Sequence, residues 1–271
     1  AEKLAFKHCH ELVPNGKIGP VPNISLVYAA TSKPEDNQAA LYFNSVRNWA
    51  YLDFACLGRY NTVFQDYLNQ NGVKITIHPE DQALMTSAFP DFVAMNFYTT
   101  VTVEQPTMEG DMTNGISDQQ SEDIMERGFY KGFTNPYLKK NAFNWTIDPL
   151  GLKTTLQTLY DRYHLPILIT ENGLGAEDHL EENGAVHDSY RIDYLQQHIQ
   201  QCLAAIESGV ELIGYSPWSA IDLISVHEGI KKRYGFIYVD RNDADEKEQK
   251  RVKKDSFYWY QKLIENGHWE G

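Results

Sequence analysis

A single glutamate closes an apolar, β-branched run in this sequence. Residues 167–170 read Ile-Leu-Ile-Thr, which is the composition of a strand buried on both faces of a parallel sheet, and Glu171 follows directly. In a closed parallel barrel the carboxyl ends of the strands carry the chemistry, so Glu171 is a candidate catalytic carboxylate. The structural alternative is that Glu171 only opens a turn, for which Asn172 and Gly173 are typical residues.

Three further side chains close other strand-like segments. Asn96 and Tyr98 end one segment, and Trp218 ends another. If these strands are parallel neighbours, their side chains meet Glu171 at one rim. Aromatic faces stack on sugar C–H groups, amides bind hydroxyls, and a carboxylate can attack an anomeric carbon, so the set suits a sugar site. Taken singly, Trp218 and Tyr98 could belong to the core, and Asn96 could cap a turn.

Strand-like and helix-like stretches alternate along the chain. Parallel strands joined by right-handed crossovers are expected from this order. Such an α/β chain would form about four βα units, either half of a (β/α)8 TIM barrel or a small open sheet. No Gly-rich phosphate loop follows any strand, so a nucleotide-binding fold has no motif support. The strand-like stretches are residues 17–24, which two prolines weaken, 91–98, 167–171 and 210–218.

Apolar periodicity and capping residues predict the helices. Residues 104–130 are polar and weakly periodic, which predicts a long loop, and residues 236–239 predict a short hairpin arm. The charged run 246–254 mixes both signs and is assigned to the solvated face of the last helix. The predicted helices span about residues 1–12, 34–54, 61–71, 148–163, 188–208 and 245–266.

Composition and charge exclude several classes of partner. The chain has 271 residues, a net charge of −13 and 42% hydrophobic residues. This content supports a sizeable core, while the acid excess disfavours nucleic acid and anionic membranes as partners. No apolar run is long enough to span a membrane. Cys9, Cys56 and Cys202 show no CxxC spacing, which indicates free thiols in a reducing compartment and no zinc site.

The motifs at the strand ends resemble those of glycoside hydrolase family 1, the β-glucosidase family. The nucleophile motif of that family, I/V-T-E-N-G, is matched by residues 169–173, and its N-Y/F-Y motif by residues 96–98. Its aglycone-side tryptophan, which precedes a D/E-P-x-G-L stretch, corresponds to Trp145 ahead of residues 148–152. Its subsite tryptophan, in Y-x-x-W-S-x-x-D, corresponds to Trp218. The resemblance implies a (β/α)8 barrel and covers nearly the whole chain.

One departure from the common family pattern narrows this resemblance to a subgroup of the family. Most members follow the last motif with N-F-E-W, whose glutamate binds sugar hydroxyls, but Ser225 stands at that position here. With Lys232 and Tyr234 it gives an S-x(6)-K-x-Y spacing that looks like the phosphate site of the 6-phospho-β-glycosidases. A glutamate would repel a sugar 6-phosphate, whereas these three residues offer donors and a positive charge. The alternative is that residues 231–233 form an ordinary charged loop. A tryptophan typical of phospho-galactosidases is replaced by Val226, which favours a gluco-configured substrate.

The resemblance implies a retaining double displacement that needs no metal or cofactor. Glu171 would attack the anomeric carbon, and Tyr98 would donate a hydrogen bond to it. Trp218 would form a wall of the sugar subsite, Trp145 would line the aglycone side, and Asn96 would bind substrate. The implied substrate is a 6-phospho-β-D-glucoside, cleaved to glucose 6-phosphate and an aglycone, and the implied location is the cytoplasm.

The general acid/base of the family is missing from the sequence. In the family it lies in a T-x-N-E motif at the end of the fourth barrel strand, and this chain has no such motif. The chain opens within a helix-like stretch, so residues 1–271 are expected to be the C-terminal half of a single barrel domain. A half barrel exposes sheet edges and an inner face, so we expect association with the missing N-terminal half, or self-association. Without its acid, the chain alone is expected to be nearly inactive.

Two alternatives stay open at this point. The first is another specificity within the same family, namely a plain β-glucosidase or a 6-phospho-β-galactosidase. The second is a non-catalytic half barrel that serves as an assembly module. Turnover of phosphorylated and unphosphorylated aryl glucosides separates the specificities, and a defined oligomer formed without any partner would favour the module.

Overall fold

The computed structural model describes residues 1–106, 124–226 and 228–267. A π-helical segment, Asn44–Trp49, joins the second and third helices. The α-helices are α1 (Glu2–Leu12), α2 (Pro34–Phe43), α3 (Ala50–Leu57), α4 (Thr62–Gln70), α5 (Pro79–Ser87), α6 (Pro149–Tyr163), α7 (Ser189–Glu207) and α8 (Asp255–Asn266). The strands are β1 (Val27–Ala29), β2 (Val93–Asn96), β3 (Val101–Glu104), β4 (Met125–Glu126), β5 (Tyr130–Gly132), β6 (Lys139–Lys140), β7 (Thr146–Ile147), β8 (Ile167–Asn172), β9 (Leu212–Pro217), β10 (Ile237–Val239) and β11 (Arg251–Lys253).

Three parallel strands form the central sheet, in the order β2-β8-β9. The most β-branched strand, β8, lies in the middle, where both of its edges are paired. Its register places Asn96 of β2 opposite Glu171, and Pro217 of β9 opposite Asn172. The carboxyl ends of the three strands therefore lie side by side.

The first predicted strand, residues 17–24, runs beside β2 but forms a single isolated bridge, between Asn23 and Asn96. The carbonyls of Pro20 and Pro22 accept hydrogen bonds of 2.9 and 3.0 Å from the backbone amides of β2. Neither proline has an N–H to donate in return, and only the amide of Ile24 donates back, to the carbonyl of Asn96 at 3.0 Å, so a regular strand does not form.

Helices α3, α6 and α7 cover the outer face of the central sheet. The side chains of Ile167 and Ile169 on β8 are at most 1% exposed and pack against apolar residues of these helices. Full burial of such a side chain stabilises the fold by about 1.5–3 kcal/mol. On the opposite face Leu168 is only partly buried, and Ile213 of β9 is 55% exposed. The outer face of the sheet is thus packed, while its inner face is open.

A second, four-stranded sheet with the order β1-β3-β5-β4 packs against α2. Within the region predicted as a loop, residues 104–130, the first residue belongs to β3, and the end forms β4 and the start of β5. Residues 107–123 of that region lie outside the described residues.

The last helix is shorter than predicted. Helix α8 begins at Asp255, and the preceding charged run forms a loop and β11, which pairs with β10 in the expected hairpin arm. Lys254 explains the error, because its side chain is 0% exposed and cannot lie on a solvated helix face. Helix α5 was not predicted from the sequence, since Met85 is its only described buried residue.

Candidate active site

The ends of the central strands carry a cluster of polar side chains. Thr170 donates hydrogen bonds to the Oδ1 atom of Asn96, at 2.7 Å, and to the carbonyl of Met95, at 3.0 Å. Asn172 donates to the carbonyl of Phe97 at 2.8 Å, so the ends of β2 and β8 are tied together by side chains as well as by the ladder. These contacts fix the backbone from which Glu171 projects.

Glu171 is paired with a phenol from the neighbouring segment. The hydroxyl of Tyr98 donates a hydrogen bond to Oε2 of Glu171. Burial, together with this carboxylate, raises the pKa of Tyr98 far above its ordinary value, so the phenol keeps its proton and remains the donor. The arrangement holds one oxygen of the carboxylate in a fixed orientation. It matches the hydrogen bond expected from the sequence.

Aromatic rings pack against the Tyr98 member of this pair. Tyr98, Trp145 and Tyr234 form one buried cluster, with ring centroids 5.6 to 6.5 Å apart, and Trp218 packs against it. Asn141 positions Trp145, because its Oδ1 accepts a hydrogen bond of 3.0 Å from the Trp145 amide. The aromatic residues that the sequence singled out are thus gathered around Tyr98, the donor to the carboxylate.

Lys232 enters the same cluster. Its Nζ atom lies 3.4 Å from the ring centroid of Trp145, 4.9 Å from that of Phe143 and 5.8 Å from that of Tyr234. The side chain is buried, so the ammonium group faces aromatic rings largely screened from solvent, where cation–π attraction can reach about 2 kcal/mol. Lys232 is therefore part of the cluster and not of an ordinary charged loop.

Ser225, the third residue of the predicted phosphate motif, lies in a tight turn. Its backbone exchanges two hydrogen bonds with Gly229, of 3.0 and 3.1 Å, and its side chain is partly exposed. A role of Ser225 in binding phosphate stays a prediction.

A buried ion network behind the cluster was missed in the sequence, where Lys254 was assigned to the solvated face of the last helix. Asp222 accepts hydrogen bonds from Arg233, at 2.9 Å, and from Lys254, at 2.7 Å, and Lys254 also contacts Asp178. Arg191 donates to Asp178 at 2.7 Å. Burial would raise the pKa of Asp178, but the charges of Arg191 and Lys254 outweigh it and hold this pKa below its ordinary value.

This network ties the segment after β8 to the segment that carries Lys232. One sequence signal pointed towards it, since Asp222 is the last residue of the Trp218 motif.

Among residues 1–106, 124–226 and 228–267, no group of three or more His, Cys, Asp or Glu side chains is arranged to hold a metal ion. In the same part of the chain, no helix is both long and apolar enough to cross a membrane.

Residues 1–268 match Glycosyl hydrolase family 1, and the chain belongs to this family. It is 42% identical over 268 residues to the aryl-phospho-β-D-glucosidase BglC of Bacillus subtilis, a match that covers 97% of this chain and 56% of that protein. It is 39% identical over 266 residues to the phospho-cellobiase of Klebsiella oxytoca, with 97% and 54% covered.

Solved structures agree with this assignment. The family 1 β-glucosidase of Thermotoga maritima superimposes with a TM-score of 0.84 and 31% identity, covering 99% of this chain and 55% of that one. The chain thus spans about half the length of the curated relatives it matches. Its fold is part of a (β/α)8 barrel, as the sequence predicted.

Proposed function

We propose that this chain is the C-terminal part of a longer glycosidase that hydrolyses 6-phospho-β-D-glucosides to glucose 6-phosphate and an aglycone, with retention of configuration. The observation that carries this proposal is the Glu171–Tyr98 pair at the strand ends, in one aromatic cluster with the ammonium group of Lys232. The names of the relatives support it, since both BglC and the phospho-cellobiase are named for phosphorylated glycosides.

In the proposed reaction, Glu171 attacks the anomeric carbon and forms a covalent glycosyl–enzyme. Tyr98 orients the attacking carboxylate through its hydrogen bond. A second carboxylic acid, about 5 Å away in retaining enzymes, would protonate the leaving oxygen and then activate water. The remainder of the barrel would supply that acid, because the T-x-N-E motif is absent from this chain.

The other residues of the cluster would bind the substrate. Lys232 and Tyr234, with Ser225, would hold the 6-phosphate through charge-assisted hydrogen bonds. Trp218 would form a wall of the sugar subsite and Trp145 the aglycone side, where flat rings stack on C–H surfaces. Asn96, held by Thr170, would bind a sugar hydroxyl.

The open inner face supports completion of the barrel by another segment. Ile213 is 55% exposed on that face, where a closed barrel would bury it. We propose that residues 1–271 form the C-terminal half of one barrel domain, and that this half alone is nearly inactive. The free thiols Cys9, Cys56 and Cys202 support a reducing, cytoplasmic location.

The test uses the complete protein and two aryl glucosides that differ only in the 6-phosphate. We expect strong preference for the phosphorylated substrate, and a loss of about 10- to 100-fold in its kcat/KM in K232A, since a hydrogen bond to a charged group is worth roughly 1.5–3 kcal/mol. K231A is the matched control, because Lys231 is 55% exposed and pairs with Glu228 at 3.0 Å. Equal turnover of the two substrates would contradict the phosphate assignment and favour a plain β-glucosidase.

One observation favours that second candidate. The superimposed Thermotoga maritima protein is named a β-glucosidase, without reference to a phosphate. Adding the aryl 6-phospho-β-galactoside to the same assay separates gluco from galacto specificity. No turnover of any of these substrates by the complete protein would instead favour an assembly module.

A further inference from the structure

The segment that follows β8 runs antiparallel to residues 232–234 and contacts their side chains at Gly175, a residue without a side chain. Ala176 and Arg233 exchange two backbone hydrogen bonds, of 2.9 and 2.8 Å. A Cβ atom built on the preceding Gly175 would lie 2.7 Å from Cε and 2.9 Å from Cγ of Lys232, and 3.1 Å from Cε1 of Tyr234. Contacts under 3.0 Å are essentially never made by real Cβ atoms, so an added methyl group must displace the Lys232 stem.

The backbone around Gly175 is held on both sides. The carbonyl of Leu174 accepts a hydrogen bond from the buried guanidinium group of Arg191, and Ala176 is bonded to Arg233. The guanidinium group of Arg233 is itself anchored to Asp222 at 2.9 Å. Because neither backbone segment can retreat, a larger residue at position 175 would move the side chains of Lys232 and Tyr234.

Backbone strain does not explain this glycine. Gly175 is not among the glycines of the chain with positive φ, so an alanine could adopt its conformation. Position 175 requires a residue without a side chain, because the aliphatic stem of Lys232, which reaches the Trp145 ring, occupies the space that a Cβ atom would need.

We propose that Gly175 is a specificity-determining residue whose missing side chain leaves the passage through which Lys232 reaches the aromatic cluster. This inference rests on the proposed function and extends it, since a bulkier residue at position 175 would weaken recognition of the 6-phosphate. Gly175 acts as a positioning residue through Lys232 and Tyr234. If Gly175 served only general packing, its substitution would lower kcat/KM equally for phosphorylated and unphosphorylated substrates.

The experiment measures, in the complete protein, the ratio of kcat/KM for an aryl 6-phospho-β-glucoside to kcat/KM for the unphosphorylated aryl glucoside. G175A is expected to lower this ratio about 10- to 100-fold, the range for losing a hydrogen bond to a charged group. In a K232A background, where only the 3.1 Å approach to Cε1 of Tyr234 remains, G175A should lower this ratio by a smaller factor than in the wild type. G214A is the matched control, since its Cβ would meet only Cδ1 of Leu168, at 2.7 Å.

The outcomes separate this inference from the proposed function. If the wild type shows no preference for the phosphorylated substrate, or K232A leaves the ratio unchanged, the proposed function fails. If preference and dependence on Lys232 hold but G175A keeps the wild-type ratio, only the role of Gly175 is overturned.

Folding of the variants is checked by thermal melting. If G175A alone does not fold, the G175A/K232A double variant, which removes the colliding stem, is expected to fold with a Tm close to that of K232A. Failure of the double variant as well would show that the collision is not with Lys232 and would overturn the inference.

Discussion

Substitution of Tyr98 by phenylalanine removes a single hydroxyl group from the candidate active site. The ring stays in its aromatic cluster, but Oε2 of Glu171 loses its phenolic donor. We expect kcat to fall while KM changes little, because in the proposed reaction the lost contact orients the attacking group and does not bind the substrate.

The magnitude follows from the type of hydrogen bond. A hydrogen bond to a charged group contributes roughly 1.5–3 kcal/mol, so kcat/KM of Y98F should be about 10- to 100-fold lower than that of the wild type. The assay is steady-state turnover of an aryl 6-phospho-β-glucoside by the complete protein, with thermal unfolding measured on the same samples.

Tyr163 provides a matched control for this variant. Its hydroxyl donates to Oδ1 of Asp53 at 2.9 Å, and it is 8% exposed, against 9% for Tyr98. Y163F therefore removes a comparable buried phenol–carboxylate contact away from the rim and should lose stability without losing kcat. Equal kcat in Y98F and wild type, or equal losses of kcat in Y98F and Y163F, would refute the reasoning.

Three further predictions concern stability and the isolated chain. Burial lowers the pKa of His198 from 6.5 to about 4, so between these pH values the imidazole is protonated in the unfolded state and neutral in the folded state. Stability should therefore fall by about 3 kcal/mol as the pH drops from 6.5 to 4, and urea unfolding of H198F should lack this dependence. D178A should lose about 3–5 kcal/mol in urea unfolding, because it leaves the three buried cations Arg191, Arg233 and Lys254 with two buried carboxylates, Asp188 and Asp222, whereas E228A, at an exposed pair, should change stability little. The 271-residue chain alone should turn over aryl 6-phospho-β-glucosides at least ~10²-fold more slowly than the complete protein, which a direct comparison of kcat/KM would check.

The strands of the central sheet were predictable because their sequences are simple. The β-branched run at 167–170 favours a strand, and its register puts Glu171 beside Asn96 as the strand-end argument requires. The strand at 17–24 could not be settled from the sequence, because the effect of Pro20 and Pro22 depends on which edge faces the neighbour. A proline is tolerated on the solvent side of an edge and costs a ladder bond on the paired side.

The buried charges were the main feature that the sequence concealed. Arg233 and Lys254 lie in charged runs that resemble solvated surfaces, and only tertiary contacts bring them to Asp222. The lack of room for a side chain at Gly175 is hidden in the same way, since it arises between segments more than fifty residues apart in the chain. Local patterns report periodicity and capping, whereas these contacts follow from how the segments after β8 and β9 pack together.

The most direct test of the central claim is covalent trapping of the nucleophile in the complete protein. An aryl 6-phosphoglucoside with fluorine at C2 slows breakdown of the glycosyl–enzyme, so the sugar stays attached long enough for peptide mass spectrometry. We expect the added mass on the peptide that contains Glu171, and no labelling of E171Q. Labelling of a different carboxylate, or undiminished turnover by E171Q, would contradict the account.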